Sequence, residues 1–367
     1  MTLFEPDDAR AQPTRRARTG WTLLLIALVL GLVMSFLPAP YVIEEPGPVF
    51  DTLGTQQQQD GGDEPLISIE GADTYPTAGT LDMLTVSVRG TREQRPSWAE
   101  IVSAWFDSSK AVIPIDQVYP PTVTTEQRDE QNAALMVDSQ QEAVAAALTN
   151  LGIAYTSAVS VAALDPDGPA AGLLVAGDVI LAVDKTPVPD VDTLRAALAE
   201  SGADVPVTLT VRHSDGTESE VQVTPTISEQ TGAPALGISA GYQFDFPFDV
   251  EIKLDDVGGP SAGMMFALGI IDKLTPGELN GGQNVAGTGT IDAAGEVGPI
   301  GGIRQKMVGA RDAGATYFLA PASNCDEVVG HVPDGIQVFS VSTLDDSLAA
   351  LKVISAGGDT SSLPTCS

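Results

Sequence analysis

The hydrophobic and polar positions along this chain of 367 residues follow different periods in different stretches. An uncharged apolar run comes first, over residues 21–37. Alternating runs at 66–69 and 81–88 predict β-strands. A helical period at 137–148 predicts an amphipathic helix, and a mostly apolar run at 262–271 predicts a buried one. The pattern as a whole predicts an α+β protein preceded by one apolar helix.

The apolar run has 17 residues, which is at the lower limit for a helix that spans a bilayer. Four arginines precede it, at positions 10, 15, 16 and 18, whereas the nearest charges after it are acidic. By the positive-inside rule we expect residues 1–20 in the cytoplasm and the chain from about residue 38 onward outside. A cleaved signal peptide is the alternative, but the prolines on both sides of Ala39 make a poor cleavage pattern. We therefore expect a single-pass anchor in the cell membrane at 21–37.

Composition excludes several classes of function. The formal net charge of −31 disfavours nucleic acid and anionic lipid headgroups as partners, and we interpret it as a source of solubility. The two histidines and two cysteines show no metal-ligand spacing, so neither a zinc enzyme nor another cofactor is expected.

The candidate nucleophile is Ser261, in the sequence Gly-Gly-Pro-Ser-Ala-Gly at 258–263. The glycines before it allow backbone N–H groups, including that of Gly259, to approach a tetrahedral oxyanion. A serine nucleophile also needs a base. Neither histidine, at 213 or 331, has a nucleophile motif near it in sequence, although spatial proximity stays open.

The candidate base is Lys306, which lies 45 residues after the serine. A lysine accepts a proton near neutral pH only if its pKa falls by roughly 3 units, through burial or a neighbouring cation. No acidic residue lies between 297 and 309, and apolar residues at helical spacing around Lys306 can bury it on a short helix. The alternative is ordinary: a turn into a helix at Ser261, and a solvated lysine.

Three blocks together resemble the Lon family of Ser-Lys peptidases, in particular its membrane-anchored bacterial members with a PDZ domain, the YlbL-like group. The blocks are Gly-Pro-Ser-Ala-Gly at 259–263, Val-Ala-Gly-Thr-Gly-Thr-Ile at 285–291, and Gly-Glu-Val-Gly-Pro-Ile-Gly-Gly-Ile-Arg-Gln-Lys at 295–306. The resemblance implies that Ser261 is acylated by a polypeptide substrate, that Lys306 is the general base, and that Thr288 lies beside the lysine. It also makes a hexameric ring an expectation.

The chain departs from the ATP-dependent members of that family in three respects. They carry an acidic residue where this chain has Gly258 and a glutamate where it has Thr290, which affects details of the oxyanion site. No Gly-x-x-x-x-Gly-Lys-Ser/Thr sequence occurs, so nothing here cradles nucleotide phosphates. We therefore expect a peptidase that works without its own ATPase.

A second resemblance, to bacterial PDZ domains, is carried by residues 169–184 within a β-rich stretch at 151–227. It implies a groove between the helix predicted at 191–198 and an early strand, where an extended peptide adds as a strand. The residues expected to line this groove are Ala158, Val159, Val161, Leu194 and Leu198. Capture of a free C-terminus is in doubt because no glycine-containing carboxylate loop is evident, and a spacer role is the alternative.

The domain organisation has two alternatives. Residues 136–139 resemble a segment inside Lon protease domains, which favours a PDZ module inserted into the protease fold over a simple tandem. In either case we expect an N-terminal α/β region at 38–150, joined from about 76 to the protease fold, a proteolytic domain at 228–353 and a flexible tail at 354–367. Cys325 and Cys366 can pair in an oxidising compartment, but two thiols alone do not decide this.

Three functions compete. The first is a membrane-anchored, ATP-independent serine endopeptidase that cleaves accessible segments of extracytoplasmic proteins. The second is a catalytically silent, membrane-anchored PDZ scaffold, against which the presence of both Ser261 and Lys306 argues. The third is a precursor that processes itself at the loops 55–65 or 228–234.

Overall fold

The computed structural model describes residues 15–57, 62–121, 123–228, 231–254 and 257–366. Most of the predicted cytoplasmic segment 1–20 therefore lies outside the described residues, as do parts of the two loops considered for self-processing, at 58–61 and 229–230. Within the described ranges, the residues up to 46 and those at 86–128 form one compact unit. Residues 47–85 and those from 129 onward form a second unit.

The strands are numbered in chain order. They are β1 (Tyr41–Asp51), β2 (Thr55–Gln57), β3 (Asp63–Pro65), β4 (Ile67–Glu70), β5 (Thr80–Arg89), β6 (Ala111–Pro114), β7 (Thr156–Leu164), β8 (Val179–Val183), β9 (Thr186–Pro187), β10 (Val207–Arg212), β11 (Glu218–Val223), β12 (Thr226–Ile227), β13 (Pro234–Ala235), β14 (Ile238–Asp245), β15 (Asp249–Ile252), β16 (Asn284–Gly287), β17 (Thr290–Ile291), β18 (Val297–Gly298), β19 (Tyr317–Pro321) and β20 (Gln337–Val341).

The α-helices are α1 (Arg15–Ser35), α2 (Trp98–Trp105), α3 (Ile115–Val118), α4 (Thr125–Leu151), α5 (Val191–Ser201), α6 (Gly263–Leu274), α7 (Ile303–Asp312), α8 (Cys325–Val328) and α9 (Leu344–Ser355). Two short 3₁₀ helices lie at Ala322–Asn324 and Thr360–Ser362. The mixture of helices and strands confirms the predicted combination of both element types.

The first unit holds α1, α2 and the strand pair β1 and β6, which is antiparallel from Tyr41 opposite Pro114 to Glu44 opposite Ala111. Ser97 begins α2 with a reciprocal capping box to Glu100, which satisfies backbone N–H groups at the helix start. Apolar side chains of α1 are exposed. Across the described ranges, no helix has the combined length and hydropathy that a membrane span requires.

The second unit contains a parallel sheet with β16 at its centre. On one side β16 pairs with β5, from Asn284 opposite Thr80 to Gly287 opposite Met83, and on the other side it pairs with β19. β20 continues the sheet beyond β19. Successive side chains of a strand point to opposite faces, and so the sheet separates two hydrophobic cores. Val285 and Leu319 contribute to one core, whereas Ala286 and Phe318 contribute to the other.

Helices cover both faces of this sheet. α6, buried over most of its length, lies in the first core with α9 and the second half of α4. α7 and α8 lie in the second core. The first core thus draws on residues on both sides of the β-rich stretch, such as Leu81 and Ala147 before it and Phe266 after it.

The β-rich stretch forms a separate sheet in the order β11-β10-β8-β7-β14, with a hydrophobic core of its own that includes α5. β14 pairs with β7 from Thr156 opposite Asp245 to Leu164 opposite Ile238. The module therefore extends to Asp245, beyond the predicted boundary at 227. The pairing joins strands more than 70 residues apart, which no local pattern could reveal.

The C-terminal tail is held in place, contrary to the expectation of a flexible segment at 354–367. Its Leu363 packs against the first core, and the Pro364 carbonyl accepts a hydrogen bond of 2.9 Å from the Ser340 N–H. A disulfide joins Cys325 to Cys366 with an S–S distance of 2.01 Å. The bond and the backbone contact together fix residues that lack any strong pattern in the sequence.

Candidate active site

Ser261 lies in a tight turn that leads into α6. The turn contains Gly259, whose φ of 89° is in the left-handed region that favours glycine. α6 begins at Gly263, two residues after the serine, so Ser261 itself lies outside the helix. The reason is that the Ser261 carbonyl accepts hydrogen bonds from the Gly289 N–H and the Thr288 hydroxyl, both at 2.9 Å, instead of starting the helical ladder.

Lys306 lies on α7, which approaches from the other face of the sheet. Gly302 precedes the helix with a φ of 67°, in the left-handed region that favours glycine. Ile303, Met307 and Ala310 form the buried face of the helix, and Lys306 itself is only 2% exposed. The lysine therefore reaches the nucleophile through the protein interior, at the end of β16, where helices from both faces meet.

The nitrogen and the two hydroxyls are in direct contact. The Nζ of Lys306 lies 2.8 Å from the Oγ of Ser261 and 2.9 Å from the Oγ1 of Thr288. Burial lowers the pKa of Lys306 from its ordinary 10.5 to about 7, because a charged ammonium is poorly solvated there. Both of these partners of Nζ are neutral hydroxyls, and no carboxylate among the described residues is paired with the amine.

Thr288 determines how the protons are arranged. It is fully buried, and its hydroxyl donates to the Ser261 carbonyl. Since that hydrogen is used, Oγ1 can only accept a hydrogen bond from Lys306. One N–H of the neutral amine is thereby directed to Thr288, and the lone pair of Nζ is free to accept the hydroxyl proton of Ser261.

The oxyanion site differs from the one expected at Gly259. The Gly259 N–H already donates to the Asn132 carbonyl at 2.9 Å, so it is not a free donor. Within the described residues, no acceptor is paired with the N–H of Ser261 or Ala262. These two adjacent groups, at the positive end of α6, are the available donors for a developing negative charge.

α4 supports the nucleophile turn, a role that the sequence did not predict. Ser139 donates from its hydroxyl to the Pro260 carbonyl at 3.0 Å. Glu142, one turn further along α4, has its pKa raised to about 7 by burial and by the nearby carboxylates of Asp292 and Asp138. The resemblance at 136–139 marked this segment, but no pattern in it indicated a contact with the residue before Ser261.

A second serine, Ser219, has a basic partner as well, in this case a histidine. His213 Nδ1 lies 2.8 Å from Asp178 Oδ1, and Nε2 lies 2.8 Å from the hydroxyl of Ser219. The sequence left such proximity open. The His213 N–H donates to the Thr217 carbonyl at 2.8 Å, and Val211 lies directly opposite Ser219 in the same antiparallel pair. Because hydrogen-bonded pairs alternate along such a ladder, the Ser219 N–H donates to the Val211 carbonyl. Ser219 thus lacks the free backbone donor that stabilises an acyl-transfer oxyanion.

The predicted peptide groove needs correction. β7 is paired with β14 along its whole length and with β8 at Val159 and Ser160, so Ala158, Val159 and Val161 offer no free edge for an added strand. Val159, Val161, Leu194 and Leu198 are buried in the core of the module. The free edge of this sheet belongs to β14. This strand follows the buried Leu236 and then Gly237, whose φ is 71°. α5 packs against β13, immediately before this turn.

No cluster of three or more His, Cys, Asp or Glu side chains suited to a metal ion is present in the described part of the chain. The chemistry that the site offers rests on a hydroxyl, an amine and backbone N–H groups.

Two protein families match parts of this chain. Residues 255–353 match the Lon protease (S16) C-terminal proteolytic domain, and residues 133–224 match the PDZ domain. The first range contains Ser261, Thr288 and Lys306. The second covers the β-rich module up to β11, although the module's sheet also includes β14.

Similar proteins include Lon protease 2 of Herpetosiphon aurantiacus, 39% identical over 120 residues that cover 31% of this chain and 14% of the relative. Lon protease 1 of Sorangium cellulosum is 37% identical over 94 residues, covering 25% of this chain and 11% of the relative. Among solved structures, the PDZ domain of an SdrC-like protein from Listeria innocua is 25% identical, with a TM-score of 0.22, covering 23% of this chain and 92% of that structure. The chain thus spans about a tenth to a seventh of the length of these Lon proteases.

Proposed function

The chain carries a Lon-type proteolytic domain and a PDZ domain, and we propose that it is a serine endopeptidase that cleaves accessible polypeptide segments without ATP. The observation that supports this most strongly is the contact of Lys306 Nζ with the hydroxyl of Ser261 at 2.8 Å, inside a buried environment that lowers the lysine pKa to about 7. A general base with a pKa near the working pH is well suited to proton transfer.

In the proposed reaction, the Oγ of Ser261 attacks the carbonyl carbon of a peptide bond while its proton passes to the Nζ of Lys306. The tetrahedral oxyanion accepts hydrogen bonds from the N–H groups of Ser261 and Ala262. Lys306, now an ammonium, gives the proton to the leaving amine nitrogen, and the C–N bond breaks. Water then attacks the acyl carbon while its proton passes to Lys306. The ester bond to Oγ of Ser261 breaks, Lys306 returns the proton to Oγ, and the acid product leaves.

The proposed substrates are unfolded or exposed segments. The printed sequence holds no phosphate-binding Gly-x-x-x-x-Gly-Lys-Ser/Thr motif, so this chain has no nucleotide-driven means of unfolding stable proteins. A nucleophile at a partly exposed turn accepts a flexible segment directly, because Ser261 is neither buried nor covered by its own helix.

The PDZ module is proposed to dock an extended peptide on β14. A strand at the edge of a sheet presents unpaired backbone groups that an extended peptide can pair with, and the neighbouring α5 supplies a wall for its side chains. β14 leads through β15 to the turn with Ser261, only 16 residues after Asp245. The module would thus raise the local concentration of substrate near the nucleophile.

We also propose that residues 21–37 anchor the chain in the cell membrane, with the protease outside. The apolar run and the arginines before it support this location. An oxidising compartment agrees with the disulfide between Cys325 and Cys366. A hexameric ring stays an expectation from the resemblance to the Lon family.

Cleavage of an unstructured protein by purified wild type, Ser261→Ala and Ser219→Ala tests the activity. We expect wild type and Ser219→Ala to cleave at similar rates, and Ser261→Ala to leave the substrate intact. Equal cleavage by wild type and Ser261→Ala contradicts the proposal. If none of the three proteins cleaves the substrate but all still bind membranes and peptides, the result favours the scaffold function.

A further inference from the structure

Asn324 holds both backbone groups of a single residue, Ile300. Its Oδ1 accepts from the Ile300 N–H at 2.9 Å, and its Nδ2 donates to the Ile300 carbonyl at 2.9 Å. The side chain is only 3% exposed, so neither hydrogen bond competes with bulk water. The two contacts fix the position and the orientation of Ile300 together.

Ile300 lies at the start of the turn that leads to α7 and Lys306. The next two residues, Gly301 and Gly302, are the most flexible type, and Gly301 has no atom near the place of a Cβ. α7 begins without a side-chain cap. The turn therefore lacks internal restraints, and the restraint from Asn324 acts directly before the segment that sets the direction of the helix.

The segment that carries Asn324 is itself well fixed. Asn324 Nδ2 also donates to Glu327 Oε1 at 3.0 Å, and the adjacent Cys325 forms the disulfide with Cys366. The same segment touches α7 a second time, because Arg304 Nε donates to the Glu327 carbonyl at 3.2 Å. α7 is thus held at two points by one rigid turn.

We propose that Asn324 is a positioning residue that keeps Lys306 within hydrogen-bond reach of Ser261 by fixing the Ile300 backbone at the entrance to α7. Asn324 touches neither of these two side chains, and it acts through the backbone. The inference rests on the proposed function, since it concerns the base of the same dyad. A displacement of the reacting groups by about 1 Å is enough to slow catalysis by roughly a hundredfold.

The test compares Asn324→Ala with Asn280→Ala in the full chain. Asn280 is a matched control: it is fully buried, its Nδ2 donates to the Thr80 carbonyl at 3.1 Å, and its Oδ1 accepts from the Gly282 N–H at 3.0 Å. Both variants lose two hydrogen bonds to backbone groups, and Asn324→Ala also loses the bond from Nδ2 to Glu327 Oε1. For each variant we would measure the thermal unfolding midpoint and the rate of Ser261 acylation by a serine-reactive probe between pH 5 and 9.

We expect both variants to unfold at a similar, lower temperature. Only Asn324→Ala should slow acylation, by about ten- to a hundredfold, because only there does the base move. In Asn324→Ala the acid limb of the profile of acylation rate against pH should also move to higher pH. The reason is that a lysine that is less firmly held gains hydration, which raises its pKa.

Equal acylation rates and pH profiles in the two variants would overturn the proposal and leave Asn324 a purely structural residue. If Asn324→Ala does not fold, Asn324→Ser, which keeps one hydroxyl to accept from Ile300, takes its place with the same expectation. Wild-type protein that shows no labelling dependent on Ser261 would refute the proposed function instead, so the two failures are distinguishable.

Discussion

At the scale of single residues, the site depends on how a lysine is kept without its proton. Burial lowers the pKa of Lys306 to about 7, and among the described residues its Nζ contacts two hydroxyls and no carboxylate. The sequence predicted the residue and the cause, because acidic residues are missing around it. It did not predict the proton arrangement set by Thr288, which depends on a carbonyl that only the folded turn presents.

The rate of Ser261 acylation should rise with pH and reach a plateau, with a midpoint near the lysine pKa of about 7. Below the midpoint Lys306 is protonated and cannot accept the serine proton. A profile of rate against pH checks this, and a midpoint near the ordinary lysine value of 10.5 would contradict the burial argument.

The same shift affects stability. Between pH 7 and 10.5 the unfolded chain keeps a proton on this lysine that the folded chain lacks. The contribution of Lys306 to the free energy of unfolding therefore increases with pH in that window, and below about pH 7 the penalty for burying the charged form is at its full size.

Thr288→Val should lower the acylation rate by about ten- to a hundredfold, because the change keeps the side-chain shape but leaves a Lys306 N–H without an acceptor. Thr288→Ser keeps the hydroxyl and is the matched control, with a rate within about threefold of wild type. Kinetics of probe labelling measure both variants. Equal acylation rates in Thr288→Val and Thr288→Ser would show that the Thr288 hydroxyl does not orient Lys306.

At the scale of elements, the nucleophile turn is supported by α4, far away in sequence. Asn132 and Ser139 contact the backbone of Gly259 and Pro260. The sequence predicted the second half of α4 from its apolar period, and the buried residues 143–148 agree with it. Its first half has little apolar pattern, so neither its helical extent nor its contact with the turn could be predicted.

Gly258→Ala should disturb this support. A Cβ at Gly258 would lie 2.7 Å from the Asn132 Cβ, which forces the start of α4 and the turn apart. We expect acylation of Ser261 to fall by about tenfold or more, as for overpacked sites in general. Gly301→Ala is the control, since a Cβ there meets no atom within 4 Å, and its rate should stay within about twofold of wild type. A Gly258→Ala rate as high as that control would show that Asn132 does not hold the turn.

At the scale of the whole molecule, the hydrophobic core of the PDZ module lies in sequence between the two stretches that build the first core. The first core uses residues before and after the PDZ module, whereas the module packs around its own buried set. We infer that the module is an insertion in the protease fold. The preference for insertion came from a short resemblance, but the last strand of the module could not be predicted, since β14 is recognised only by its pairing with β7.

Removal of the module tests this organisation. Thr156 and Asp245 are directly opposite in the antiparallel pair, where Cα atoms lie about 4.5–5.5 Å apart, so a Gly-Ser-Gly linker can replace residues 156–245. We expect this variant to keep labelling of Ser261 by a small probe within about threefold, since the first core is intact, and to lose much of its cleavage of protein substrates. Loss of probe labelling in a folded variant would contradict an independent protease core.

The Ser261–Lys306 dyad is tested most directly by labelling with a serine-reactive probe, with the labelled residue mapped by mass spectrometry. The labelling rate is measured against pH in wild type, Lys306→Met and Ser219→Ala. We expect label on Ser261 in wild type and in Ser219→Ala, with a midpoint of the labelling rate near pH 7, and none in Lys306→Met. Label on Ser219, or label on Ser261 that is as strong without Lys306, would contradict a Ser-Lys peptidase site.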